Sequence, residues 1–333
     1  MRADLLIVGQ GLAGTLLAWE CERAGIAFAI ADRGHAMAAT SAAAGIVNPI
    51  TGRRLVKSWR VDTLLPAARA VYRDLEQALG VPLWREMRVR RLFADEKERA
   101  VLARKLATGE LAPFVTERDE SGCWIRDAAR VDLPALLAAA RARWQATGRL
   151  RVEDTDFRVA AGRHELVIDC TGAAGVAGPG RFPLVPWEFS KGEVLEIAVD
   201  GLAPDVVLNR RHWVAPVGEG RAWVGATHQP RASDMAPSTE ARAVLEQSAR
   251  ERLAGRAFAV TNQRAGVRLN LPDKRPVAGR HPENVCLGFC GGLGAKGALW
   301  APLLARQWVA HLTGGVPFDP EIDVRRFVRP PAG

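Results

Sequence analysis

The chain has 333 residues, 48% hydrophobic and 25% charged, values near the averages of folded globular chains. Extended disorder, collagen-like repeats and coiled coils are thereby excluded, and no run approaches the ~18 consecutive apolar residues of a membrane span. The formal net charge is +9, and 40 of the 46 basic residues are Arg. With abundant Ala, that bias is what a GC-rich genome gives, and net charge speaks to non-specific partners rather than to fold. At roughly 100–200 residues per domain, the length predicts two domains, or one large α/β unit with an insertion. Cys21, Cys123, Cys170, Cys286 and Cys290 form an odd set without a C-x-x-C pair. The six histidines include neither H-E-x-x-H nor H-x-H. Neither a disulfide framework nor a metal site is predicted, and Cys286 and Cys290, sharing one apolar run, are expected as buried thiols.

The opening apolar run is only Leu5 to Val8, shorter than the ~7–15 residues of a signal-peptide core. It predicts a first strand and a cytoplasmic protein. Gly9-Gln10-Gly11-Leu12-Ala13-Gly14 follows, then a helical pattern through Leu16, Leu17 and Cys21, then a strand from Ile26 to Ala31 ending at Asp32. Helical spacing covers 62–79, with Leu64, Leu65, Ala68, Val71, Tyr72, Leu75 and Leu79 on one face. Residues 84–93 alternate as a strand. Helices are predicted over 96–106 and 133–145, and strands over 148–172, closing with Leu166-Val167-Ile168. An antiparallel block over 186–229 has strands at 192–198, 206–217 and 221–227, the last two joined by Gly218-Glu219-Gly220. A helix over 239–254, a strand over 285–289, a glycine-rich turn at 291–297 and a helix over 298–312 complete the pattern. Parallel-type elements at the beginning, middle and end surround the antiparallel block. That order predicts an α/β chain with a Rossmann-like dinucleotide-binding domain (1–75, 146–182 and 263–333) interleaved with an antiparallel-sheet, α+β substrate domain (76–145 and 183–262).

Gly9, Gly11 and Gly14 stand between a strand and a helix, with an acid 18 residues beyond Gly14. In that context the first glycine makes the turn and the second admits a pyrophosphate to the backbone. The third allows close helix–strand packing, the helix N-terminus faces the phosphates, and Asp32 suits a ribose hydroxyl. Two more glycine segments, Asp169-Cys170-Thr171-Gly172 and Gly291 to Gly297, follow apolar strands. The second opens a helix whose amides suit a group that gains negative charge, as a reduced flavin does.

Together these segments resemble the FAD-dependent D-amino-acid oxidase superfamily, in its glycine and sarcosine oxidase branch. The resemblance also rests on Thr40-Ser41-Ala42-Ala43-Ala44-Gly45, Trp213-Val214-Ala215-Pro216, Val224-Gly225-Ala226-Thr227 and Ala265-Gly266-Val267-Arg268 with Pro272, Asp273 and Pro276. Within the superfamily, Ala43 to Pro49 and the final Gly-x-x-Gly-x-Lys-Gly are similar to the C-terminal oxidase domain of the bifunctional tRNA 5-methylaminomethyluridine enzyme. That domain removes a carboxymethyl group from a wobble-uridine side chain.

The resemblance implies non-covalent FAD, since Leu269-Asn270-Leu271 lacks the Cys that follows this segment in sarcosine oxidase-type members. The FAD contacts it implies are Gly9, Gly11, Leu12, Ala13, Gly14, Asp32, Arg33, Thr40, Ser41, Ala43, Ala44, Gly45, Thr171, Gly172, Gly266, Arg268, Gly292, Leu293, Gly294, Ala295, Lys296 and Gly297. It further implies hydride transfer from the α-carbon of an amine or amino acid to flavin N5, with hydrolysis of the imine. Oxygen or another acceptor then reoxidises the flavin. Arg268 occupies the position whose guanidinium binds a substrate carboxylate, for which its planar fork is suited; the alternative is one surface Arg among 40. Lys296 is placed near the flavin, facing substrate, flavin or an oxygen-activating water, or solvent as a loop lysine. His228 and Trp213 are candidates at the substrate end, with His212 beside them, and core or rim packing is the open alternative for all three. Trp213 stands where glycine oxidase-like members carry Tyr, and the only tyrosine is Tyr72.

The expected function is therefore FAD-dependent oxidation of a small amine or amino acid. A modified uridine in tRNA is the alternative, supported by the charge and by Arg88, Arg90, Arg91, Arg210 and Arg211. A non-catalytic FAD-binding subunit is the third reading.

Overall fold

The computed structural model describes residues 4–34, 38–176, 181–232 and 234–328. Residues 1–3, 35–37, 177–180 and 329–333 of the expected dinucleotide-binding segments, and 233 of the expected substrate segments, lie outside that set. The Leu5–Val8 strand is buried at every position, as a continuous apolar run requires of a parallel strand covered on both faces. Phe28–Ala31 and Leu166–Asp169 flank it in parallel. Leu287–Gly291 extends the sheet beyond Leu166–Asp169, and Val277–Arg280 and Leu150–Arg151 form its edges. This six-stranded sheet thus draws on the start, middle and end of the chain. Helices Leu12–Arg23 and Gly297–Gly314 pack together beside it. Trp308 of the second helix is fully buried and its indole donates to the Phe289 carbonyl at 3.1 Å. Gly288 makes room for it: a Cβ there would lie 2.5 Å from the Trp308 ring.

The second sheet has the order Gln229–Pro230, Glu188–Ala198, Arg221–Gly225, Trp213–Gly218, Val206–Asn209, Trp84–Leu92, Gly122–Val131, Ile46–Val47. Ala259–Asn270 lies along Glu188–Ala198, and Val115–Arg118 along Gly122–Val131. The helix Thr239–Arg252 packs on this sheet through Leu245, Ala249 and, just past its end, Leu253, against Leu195, Ile197 and Val224. One pair in this otherwise antiparallel sheet, Val206–Asn209 with Trp84–Leu92, is parallel.

Several local expectations are corrected. Residues 157–161, expected as strand, form a short helix because Asp156 caps it, accepting from the Arg158 and Val159 amides at 2.8 and 3.4 Å. The strand expected over 206–217 is two strands joined by a tight reversal, closed by Arg210 N donating to the His212 carbonyl at 3.1 Å. The last parallel strand begins at Leu287 rather than 285, with Val285 exposed. Cys290 is buried but Cys286 is half-exposed, and all five cysteines are free. No helix among the described residues is long and apolar enough to cross a membrane.

Candidate active site

A cavity of about 610 Å³ runs from Asp32 and Thr155 at one end, past the three glycine segments, to Trp213 and Arg268 at the other. At the first end Gly9 has φ +98°, and a Cβ there would lie 3.0 Å from the backbone of Cys170 and Thr171. Only glycine fits this approach. Gly14 serves packing: its Cβ would come 1.9 Å from the Gly9 carbonyl oxygen. No side chain caps the helix at Gly11, which leaves first-turn amides facing the cavity, while Leu12 N donates to Thr40 Oγ1 at 3.3 Å. Such amides, with the helix dipole behind them, match a diphosphate. The glycine cradle and the uncapped amides thus fit the dinucleotide portion of FAD.

Asp32 is buried and lines this end. Its carboxylate accepts from Gln10 N at 2.7 Å, Gly34 N at 2.9 Å and Arg141 Nη1 at 2.8 Å. Burial works to raise its pKa, but these hydrogen bonds outweigh it and hold the carboxyl below the usual range. Arg141, from the helix Leu133–Ala146, also donates to Gln10 Oε1 at 2.9 Å. The second glycine segment is organised by Asp169, whose carboxylate accepts from Thr171 N at 3.0 Å and from Arg181 Nε and Nη2 at 2.7 and 2.5 Å. Arg181 in turn stacks on Phe157, 3.6 Å from the ring centre. The Ala39–Ala42 turn rests on the Ala259–Asn270 strand at Gly266, where a Cβ would meet Ala39 Cα at 3.1 Å. The helix that follows the third glycine segment also lacks a side-chain cap, at Lys296.

At the other end two glycines make room for two large side chains. The strand register sets Arg268 opposite Ser190, diagonal to Gly192, and the guanidinium lies over Gly192, 2.1 Å from where a Cβ would be. Trp213 pairs with Gly225 across the strands, and its ring would lie 2.9 Å from a Gly225 Cβ. The protein contact of the Arg268 guanidinium is long, to the Thr227 carbonyl at 3.5 Å. Burial alone pushes its pKa down. It forms no ion pair among the described residues. A half-buried cation without a counter-ion, facing a cavity, suits an anionic group.

Of the cofactor contacts expected from sequence, Gly14, Ser41 and Lys296 are set back from the cavity lining, and the others line it. The Ser41 carbonyl accepts from Arg264 at 3.1 Å. The Lys296 ammonium lies 5.7 Å from the centre of the Trp300 ring, and burial lowers its pKa. Of the expected catalytic residues, Arg268 and Trp213 line the cavity, while His228 is exposed beyond it. Burial, then Arg268 and Lys274, lower the His228 pKa. His212 is buried with Nδ1 2.6 Å from Ser248 Oγ, away from the lining. Three of the arginines expected to form an RNA-facing cluster are engaged: Arg91 with Glu98, Arg90 with Asp119 and Arg88 with Asp205. Sequence reasoning missed Gly192, Arg141, Arg181 and Met235, the last of which also lines the cavity. Gly192, Arg141 and Arg181 carry no local signal, because each acts on a residue distant in the chain.

Residues 4–312 match the profile of the FAD dependent oxidoreductase family, DAO. The tRNA 5-methylaminomethyl-2-thiouridine biosynthesis bifunctional protein of Maricaulis maris is 32% identical over 336 residues, 93% of this chain and 52% of that protein. The chain thus spans about half the length of that relative. Glycine oxidase of Bacillus licheniformis is 26% identical over 353 residues, 94% of each chain. The crystal structure of glycine oxidase from Geobacillus kaustophilus has the same fold, with a TM-score of 0.78 at 24% identity over 96% of this chain and 97% of that one. Members of the family bind FAD, and homologous enzymes act on C–N bonds. The chain belongs to the DAO family and is an FAD-dependent oxidoreductase.

Proposed function

We propose that the protein oxidises the C–N bond of an amine that carries a carboxylate, a small amino acid or N-substituted amino acid. The observation that carries this reading is Arg268, a cation held over Gly192 at the cavity's end without a counter-ion among the described residues. Bound FAD supplies the two-electron acceptor for a hydride leaving the substrate α-carbon. The chain's own residues do the rest. Arg268 holds the carboxylate and so fixes the α-carbon, which is a positional contribution. Its positive charge also disfavours an ammonium beside it, so the amine is bound neutral, as hydride loss requires. Trp213 and Phe189 line this end of the cavity and exclude water until the imine forms; hydrolysis of the imine then gives a carbonyl compound with ammonia or, from an N-substituted substrate, the released amine.

The test is an anaerobic titration of the yellow holoenzyme with amino acids and N-substituted glycines, followed by the flavin absorbance. Bleaching by a carboxylated amine, and not by its decarboxylated analogue, is expected. Arg268→Met should lower kcat/KM about 100-fold, the loss of a charge-assisted pair worth ~1.5–3 kcal/mol, with the flavin spectrum retained. A wild type that no carboxylated amine bleaches refutes the reading. A second reading, oxidation of an amine-bearing side chain on a tRNA uridine, is supported by the 32% identity with the tRNA-modifying relative. Binding of RNA to the holoenzyme, weakening as salt rises, tests it.

A further inference from the structure

Three turns of the chain meet around a buried ion pair at one end of the large sheet. Arg91 is 6% exposed and Glu98 4%, and Arg91 Nε donates to Glu98 Oε1 at 2.9 Å. The other arms of Arg91 reach Asn209 Oδ1 at 2.5 Å and the Gly52 carbonyl at 3.4 Å. Arg210 Nη2 donates to the Ala94 carbonyl at 3.2 Å, and Arg53 Nη2 to Asp95 Oδ2 at 2.9 Å. These bonds join the hairpin tip at 52–55, the turn at 94–95 and the hairpin tip at 210–212 into one surface.

That surface exposes Arg53, Arg54, Lys97, Arg99, Arg210 and Arg211, against the carboxylates Asp95, Glu96 and Glu251. Asp95 is committed to Arg53 and to capping its helix through the Glu98 amide. Glu96 pairs with Arg99, and Glu251 with Arg252. Arg54, Arg210 and Arg211 therefore have no carboxylate among the described residues. Behind them Arg252 is itself 6% exposed, and its Nε has no hydrogen-bond partner among the described residues. The like charges are close enough to act on one another: burial, then Arg210, lower the Arg252 pKa against the opposing pull of Glu251, and burial, then Arg252 and Arg211, push the His212 pKa down to about 4. The patch adjoins the candidate active site, since Arg211, in the hairpin tip, stands two residues before Trp213, a reach of at most about 7 Å along the chain.

A small amine has no use for such a patch, whereas a phosphate backbone supplies the missing counter-charge. The geometry points to the surface of Arg54, Arg210 and Arg211 as a docking site for the phosphate backbone of an RNA, beside the end of the cavity where a modified nucleoside would enter. This rests on the second functional reading, and it names the residues that reading needs.

The experiment uses FAD-loaded protein and a fluorescein-labelled RNA hairpin, with anisotropy read over a salt series. The R54Q/R210Q/R211Q variant should bind at least tenfold more weakly, with the slope of log K against log salt reduced by about 2–3. Its flavin spectrum and its turnover of any small amine should be unchanged. R151Q/R158Q, which removes exposed charge at the opposite, Asp32 end of the cavity, should bind RNA within about threefold of wild type. Equal affinity and slope in the triple variant overturn the docking surface and leave the RNA reading standing. No RNA binding by wild type at low salt overturns both, and leaves the carboxylated-amine reading untouched. Equally tight binding to phosphatidylserine vesicles, lost in the same variant, overturns the RNA assignment in favour of a membrane contact. Should the triple variant lose its flavin, R211E alone carries the test, with the same signs and a smaller change in slope.

Discussion

Gly192 and Gly225 shape the Arg268 end of the cavity by what they lack, since the Arg268 guanidinium and the Trp213 ring occupy the space of their missing side chains. In Gly192→Ala the new Cβ contests the position of a flexible side-chain end, so the fold adjusts at little cost while Arg268 is displaced. The expected result is a KM for carboxylated amines raised about tenfold or more, with the FAD spectrum intact and stability altered by less than ~1 kcal/mol. Steady-state kinetics with a thermal melt checks this, and an unchanged KM would detach Arg268 from substrate. At this scale the sequence was legible where the requirement is local. Gly9, Gly11 and Gly14 announce themselves by spacing, because each serves a turn or a helix start within a few residues. Gly192 announces nothing, because its need is set by an arginine 76 residues away.

Among the elements, the helix Thr239–Arg252 is tied to the 210–212 hairpin by the buried contact of His212 with Ser248. His212 has its pKa pushed down to about 4 by burial and neighbouring arginines, whereas in the unfolded chain it protonates near pH 6.5. Between those values the unfolded chain binds the extra proton, so stability falls as pH drops from about 6.5 towards 4, by up to about 3 kcal/mol. Above pH 6.5 the residue contributes no pH dependence. Urea midpoints at pH 7 and pH 4.5 should differ less in His212→Gln than in wild type; an equal difference would show that other groups carry the acid sensitivity. Long amphipathic or apolar elements were readable, as with the helix Val61–Leu79 and the strand Leu5–Val8. The strand Ala259–Asn270 was not predicted, because its first half, Ala-Val-Thr-Asn-Gln-Arg, is polar and largely exposed. Its strand state comes from pairing with Glu188–Ala198 along nearly its whole length.

For the molecule as a whole, the cavity gathers segments near residues 9–14, 40–45, 171–175 and 291–297. FAD held there would join the two ends and the middle of the chain. Removing FAD should lower the melting temperature, and free FAD at 100 times its Kd should restore about 2.7 kcal/mol. Asp32→Ala should shift that restoration to higher FAD concentration. A melting temperature indifferent to FAD would contradict the assignment of the cavity.

The sequence by itself determined the cofactor half, because a diphosphate is held by backbone amides and glycine turns whose geometry is encoded in contiguous residues. It also determined the α/β order of elements, since hydrophobic periodicity is local. The tertiary structure alone decided the rest. Of the arginines expected on an RNA-facing surface, Arg88, Arg90 and Arg91 are paired with carboxylates, while Arg210 and Arg211, with the unexpected Arg54, are left facing solvent. Lys296 lies against Trp300, and Arg268 lies in the cavity. Where a long charged side chain ends depends on which strands lie beside it and what they leave empty, and no spacing along the chain records that.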